Sequence, residues 1–312
     1  MRFPFTLAEN KDFAAVGFGL NAVDHLIVVP AYPAFDTKTR LREHLQAAGG
    51  QTASCMVGLR RLGLRTAYVG RFGDDAEGTF GRATLLAEDV DISRAETVKD
   101  ARTQLAFIVI DERDGERTII WDRDDKLAYR PEEVPAEFVT RGRVLHLDAH
   151  DPPACVVAAN AARAADTIVS VDVDNLYPGC EELLPFVDVL ISSKEFPRRL
   201  TGIADYRRAL REIKARYGCA IVGLTLGTDG ALLLVEDTFL EAPAFAAPGG
   251  AKDTTGAGDA FYTGFIYGML AGEEIEACLR LGHAVAALKC RALGARTALP
   301  TRDELRAFLD AM

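Results

Sequence analysis

The run Asp253-Thr-Thr-Gly-Ala-Gly-Asp-Ala-Phe261, followed by an apolar stretch of helical period from Tyr262 to Leu270, holds the strongest chemical signal in the chain. Small residues at Gly256, Ala257 and Gly258 let backbone amides point into a concavity, and the positive end of a following helix dipole favours an anion there. Phosphate is the natural guest. Asp259, at the start of that helix, stands where a carboxylate can take a proton from a hydroxyl attacking such a phosphate. The competing reading is a plain turn with Asp259 as a helix cap, and for a lone glycine-rich turn that reading has the better odds.

Two other constellations bear on chemistry. Val144-Leu-His-Leu-Asp-Ala-His150 places His146, Asp148 and His150 on one face of a strand. Imidazole and carboxylate suit a divalent metal, a strand end beside a crevice suits an Asp148 contact to a ligand, and both histidines suit ordinary polar packing. Gly17-x-Gly19-x-x-Ala22, with Asp36 further on, has the spacing of a dinucleotide fingerprint. That fingerprint must open a helix, whereas here the chain continues into His25-Leu-Ile-Val-Val29 and Pro30. No P-loop or G-x-S-x-G motif occurs, which removes the commonest nucleotide-hydrolase and esterase readings.

The elements that must position these residues alternate between strand-like and helix-like segments, the pattern of a mostly parallel sheet covered on both faces. Strands are expected at Ala14–Gly19, Thr66–Gly70, Val144–Ala149, Thr167–Asp172, Val187–Ser192 and Cys219–Thr225. Between them Tyr206, Leu210, Ile213 and Tyr217 share a helix face, as do Ala277, Leu281, Ala284 and Leu288. Two stretches break the alternation and read as antiparallel strands outside the main sheet. These are Asp24 to about Ala47, and Thr103 to Trp121 around the hairpin signal Asp114-Gly115. A small β-lid from segments of about 21–47 and 100–126 is one reading, and a surface hairpin without a role is the other.

The 312 residues fit one α/β domain, 1–312, without repeats or a clear linker. With 49% hydrophobic and 26% charged residues and no apolar run near the roughly 20 needed to cross a bilayer, a membrane protein is excluded. A net charge of -10 disfavours nucleic acid and anionic lipid. Nothing at the N-terminus marks export, so the cytoplasm is expected. Six scattered cysteines without a C-x-x-C pair fit reduced thiols.

Residues 253–261 match in full the second signature of the ribokinase-like (PfkB) sugar kinases, and the resemblance extends over most of the chain. Gly49-Gly50 with the helix ending at Arg60-Arg-Leu-Gly63 resembles the first signature. Thr66-Ala-Tyr-Val-Gly70 with Gly73-Asp-Asp-Ala-Glu-Gly78 is similar to the following strand and loop, and Leu224-Thr-Leu-Gly-Thr-Asp-Gly-Ala231 is similar to the nucleotide-side segment. The resemblance implies a three-layer α/β/α fold with a β-sheet lid and ATP-dependent phosphorylation of an alcohol group on a sugar or sugar-like acceptor. It makes Asp259 the base and Gly256, Ala257 and Gly258 the anion hole. Asp24, with Asn21, Gly49, Gly50 and Ser54, falls on the acceptor side. Thr225, Gly227, Thr228, Gly230 and Thr254 fall on the nucleotide side, with His283 and Ala287 where a helix packs against adenine.

Further implications are Mg2+ as cofactor, with Glu195 acting on it indirectly, and a K+ or similar ion near Asp253. Two positions depart from the pattern. Ser54 replaces an asparagine of the first signature, and Ser192-Ser-Lys-Glu195 keeps the glutamate but not the asparagine of an N-x-x-E motif, as in ketohexokinase-like relatives. A nucleoside acceptor and a non-catalytic binding protein of the same fold stand as alternatives, and exposed lid edges allow a homodimer through the lid.

Overall fold

The computed structural model describes residues 1–312. In chain order the strands are β1 (Phe13–Phe18), β2 (Ala22–Val29), β3 (Glu43–Gly49), β4 (Thr66–Val69), β5 (Arg71–Gly73), β6 (Glu96–Val98), β7 (Leu105–Asp111), β8 (Arg117–Asp122), β9 (Gly142–Leu147), β10 (Ile168–Val173), β11 (Val189–Ser193), β12 (Ile221–Thr225), β13 (Ala231–Val235) and β14 (Thr238–Ala242). The helices are α1 (Gln51–Arg61), α2 (Ala76–Ala87), α3 (Ala136–Val139), α4 (Pro152–Ala164), α5 (Cys180–Leu183), α6 (Phe196–Thr201), α7 (Tyr206–Tyr217), α8 (Ala257–Leu270), α9 (Ile275–Lys289) and α10 (Arg302–Asp310).

The main sheet runs β14-β13-β12-β11-β10-β9-β1-β4, parallel from β12 to β4 and antiparallel at β13 and β14. Strands β4 and β10 are buried at every residue. Helices α1, α8, α9 and α10 cover one face and α4, α6 and α7 the other, so apolar residues run continuously instead of alternating. All six strands expected in this sheet are there, each end within about two residues of its expected place, as is usual for boundaries read from sequence. The cysteines are all free and buried, and no helix is long and apolar enough to cross a membrane.

The second sheet is β3-β2-β7-β8. Its two hairpins are antiparallel internally, as expected, but they join through a parallel pair, β2 with β7. A parallel pair needs a long crossover, and α1, β4, β5, α2 and β6 supply it. Registers Asp24↔Ala106 and Ala106↔Trp121 put these three residues in one row across the sheet, with Leu26, Ile108 and Ile119 in the next on the same face. That face looks toward the C-terminal ends of the main parallel strands. The opposite face leaves Phe107 and Ile120 about half exposed.

Candidate active site

Between the second sheet and the main sheet lies a cleft of about 740 Å³, lined by Asp24 and Gly50 at one end, Gly256–Asp259 in the middle, and Thr225, Gly227, Thr228, Gly230, His283 and Ala287 at the other. The chain order of these groups gives no hint of their convergence. The βα crossovers bring them to one edge of the sheet, where open α/β folds bind ligands.

The middle of the cleft is the start of α8. Gly256 precedes the helix with φ of 76°, a left-handed conformation that glycine adopts without strain. The amide of Ala257 donates to Thr254 O at 3.1 Å and that of Ala260 to Gly256 O at 2.9 Å, whereas those of Gly256, Gly258 and Asp259 find no acceptor in the protein. A side chain built on Gly258 would meet nothing within 4 Å, so the space above it is open. Free amides, a helix N-terminus and an empty surface over Gly258 fit an anion of phosphate size. The amide of Ala257 is already engaged, so the donors differ by one from the expected set of Gly256, Ala257 and Gly258.

Asp259 makes no cap to the helix and its carboxylate accepts no hydrogen bond from the protein, which disposes of the capping alternative. Burial, and next the charge of Asp174, push it up to about 6, while Arg117 and Arg296 pull the other way. Asp172, on the wall beside it, is raised well above its ordinary range by burial and then by Asp259. Asp24 is buried to 4% exposure with no ion pair, and burial raises it to about 7 against the opposing pull of Arg296. A carboxylate with a raised folded value stabilises least when ionised, so this contribution is present at pH 4 and lost as pH rises through 7. Asp24→Asn therefore raises Tm at pH 8 by several degrees and leaves it nearly unchanged at pH 4, a comparison that two thermal melts make directly. Equal Tm values at pH 8 would contradict the stored cost.

Other expected residues take supporting places. Gly49 carries no side chain because a Cβ there would lie 2.1 Å from the Asp24 carboxylate. Asn21 donates to Tyr68 Oη and Arg71 O, both at 2.8 Å, and does not line the cleft. Ser54 lies beneath the wall and accepts from Arg296 Nε at 3.2 Å. Asp148 is fully buried, accepting from Leu20 N at 2.5 Å, Thr52 Oγ1 at 2.8 Å and His150 N at 3.2 Å, so it braces the chain and does not reach the cleft. His146 is packed on Tyr262 and neutral, since burial drives it down to about 3. Its face holds no metal cluster. Thr254 accepts from Arg117 Nη1 at 2.8 Å and donates to Gly115 O at 3.2 Å, which docks the β7–β8 turn onto the loop before α8. Glu195 is exposed, one residue beyond the lining Ser193 and Lys194. Asp253 is fully buried, accepting from Thr255 N at 2.8 Å and Gly294 N at 2.7 Å. A Cβ on Gly17 would lie 2.6 Å from Thr52 and one on Gly19 2.2 Å from Asp148, so those glycines serve packing against α1 and the end of β9, and β1 leads into β2 instead of a helix. The dinucleotide reading falls on that geometry.

Sequence reasoning missed Arg296, Arg117, Trp121 and Tyr177, and it put His150 on the strand face of His146, whereas β9 ends at Leu147 and His150 lines the cleft. Arg296 is buried, donates to Gly49 O and Ser54 Oγ, and is lowered to about 10 by its burial. Arg117 points from β8 into the cleft with its Nε unpartnered. His150, with both ring nitrogens unpartnered, stands between Trp121 and Tyr177 at centroid distances of 5.6 and 4.5 Å. Only for Arg117 and Trp121 did a signal exist, since period-2 alternation along β8 puts them on one face with Ile119.

The chain matches the pfkB family carbohydrate kinase model over residues 18–302. It is 28% identical to a nucleoside kinase of Methanothermobacter thermautotrophicus, covering 96% of this chain and 95% of that protein. It is 29% identical to an ATP-dependent ribose-1-phosphate kinase of Halopiger xanaduensis over 92% of this chain and 94% of the relative. Its structure superposes on an Agrobacterium tumefaciens protein assigned as a ribokinase with a TM-score of 0.87, 29% identity, and coverage of 96% and 98%. The unpartnered amides at the start of α8 and the unpaired carboxylate beside them are thus found in a chain that belongs to the pfkB family of carbohydrate kinases.

Proposed function

We propose that this protein transfers the γ-phosphate of ATP to an alcohol group of a sugar or sugar-like acceptor, with Asp259 as the base. The observation that carries the proposal is the free Asp259 carboxylate one residue from an amide cradle with open space above it. ATP lies along Thr225–Gly230, with adenine toward His283 and Ala287 and its terminal phosphate at the amides of Gly256, Gly258 and Asp259. The donor matches the relative named as ATP-dependent. Asp24 and the Gly49-Gly50 turn hold the acceptor. The acceptor hydroxyl gives its proton to Asp259 as its oxygen bonds to the γ-phosphorus and the bond to the bridging oxygen of ADP breaks. Little covalent chemistry is asked of the protein, which positions the reactants and offsets charge. Arg117 is placed to face the moving phosphoryl group.

Magnesium would screen the phosphate charge. Asp172 and Asp174, which line the cleft, would hold that ion, with Glu195 acting on it indirectly from beside Ser193 and Lys194. The second sheet covers the acceptor and keeps water from the γ-phosphate. Its exposed Phe107 and Ile120 face suits pairing with a second copy. The wall of Trp121, His150 and Tyr177 favours a nucleoside as the alternative acceptor, since a base can stack there and bond the open imidazole nitrogens.

An ADP-release screen over ketoses, aldoses, sugar phosphates and nucleosides tests the proposal. At least one acceptor is expected to raise release well above the acceptor-free rate. Nucleotide binding with no stimulation by any acceptor would favour a non-catalytic role.

A further inference from the structure

Lys289, at the end of α9, is fully buried, although an ammonium is among the costliest groups to remove from water. Its Nζ donates to Asp253 O at 2.7 Å and lies 3.7 Å from Asp253 Oδ2. The same carboxylate accepts from Thr255 N and Gly294 N, at 2.8 and 2.7 Å. These contacts tie α9 to both segments that enclose Gly256, since Ala295 lies so close that a Cβ on Gly256 would be 2.7 Å from it. The position beside Asp253 where the family resemblance implies a monovalent ion thus already holds the Lys289 ammonium, bonded to the Asp253 carbonyl. The donor set does not fit K+.

We infer that Lys289 is a tethered cation that positions the phosphate-binding loop, so that this protein binds nucleotide and turns over without a monovalent ion. The ammonium is a compact point charge, closer to an alkali ion than a guanidinium would be. It fixes the Asp253 carbonyl and carboxylate, and through them the peptide that presents Gly256 and the amides after it. Burial lowers Lys289 from its ordinary range, and the charge of Asp253 opposes that shift. The inference rests on residues 256–259 being the phosphate site.

The test is ATP affinity by calorimetry and initial rate, measured for the wild type, Lys289→Ala and Lys289→Met in tetramethylammonium buffer and again with KCl or NaCl at equal ionic strength. The wild type should show the same affinity and rate in all three salts. Lys289→Ala should bind ATP about tenfold more weakly without K+, the scale of one lost charge contact. Added K+ should restore it, because the truncated side chain leaves room for an ion. Lys289→Met fills that room with an apolar chain and should be weak in every salt. Stimulation of the wild type by K+, or undiminished affinity of Lys289→Ala without it, would overturn the inference. The wild-type comparison decides the matter alone if neither variant folds. A wild type that binds no ATP in any salt would instead refute the phosphate-site reading on which the inference stands.

Discussion

Asp259→Asn should lower kcat by about 10³-fold, within the range that positioned general bases contribute, and leave ATP affinity within about twofold. The amide side chain keeps the shape of the carboxylate but cannot take a proton at the operating pH. Affinity is spared because the phosphate is held by backbone amides that the substitution does not touch. The variant also removes a buried negative charge that burial and Asp174 disfavour, so its Tm should not fall. In the wild type the rate should climb from pH 5 and level off above about pH 7, as a base held near 6 loses its proton. Asp259→Asn should lose that climb. Rate measurements in overlapping buffers and one ATP titration check all three statements, and a variant with wild-type kcat would remove Asp259 from the chemistry.

Gly258→Val should be folded and nearly inactive. Gly258 sits in the first turn of α8, and a Cβ there meets no protein atom within 4 Å, so no packing forbids a side chain. Replacing glycine in a helix should gain a few tenths of a kcal/mol. The same side chain fills the space above the free amides, where a phosphate must come within hydrogen-bond distance. We expect kcat/KM for ATP to fall by about 10²- to 10³-fold, the usual cost of losing preorganised donors at a developing charge. Thermal melts and steady-state kinetics on one preparation separate this outcome from misfolding. A stable variant with unchanged kcat/KM would mean that the phosphate binds elsewhere.

The legibility of the molecule in its sequence follows a physical division. The parallel strands could be read because burial on both faces imposes continuous β-branched and apolar runs, and Asp114-Gly115 announced its hairpin because few residue pairs suit that turn. Gly256–Asp259 could be read because backbone amides, a glycine in a left-handed conformation and a nearby carboxylate must all fall within a few residues. The parallel joining of β2 to β7 could not, since pairing partners separated by a long crossover leave no local trace. Asp148 misled for the same reason. Strand alternation gave its face correctly, but only the fold brings Leu20 and Thr52 to occupy its oxygens. Arg296 and Lys289 were invisible because their importance lies in what surrounds them. Each is one charged residue in a stretch of small or apolar neighbours, and nothing local says that Gly49 O or Asp253 O will meet it.

The central claim is one of position, that the terminal phosphate of ATP rests on the amides at the start of α8 with the Asp259 carboxylate beside it. A crystal structure of the protein with a non-hydrolysable ATP analogue and magnesium measures this directly. The account predicts γ-phosphate oxygens at about 2.7–3.2 Å from the amide nitrogens of Gly258 and Asp259, with adenine between His283 and the Thr225–Gly230 segment. A γ-phosphate bound away from those amides, with Asp259 facing empty solvent, would contradict it.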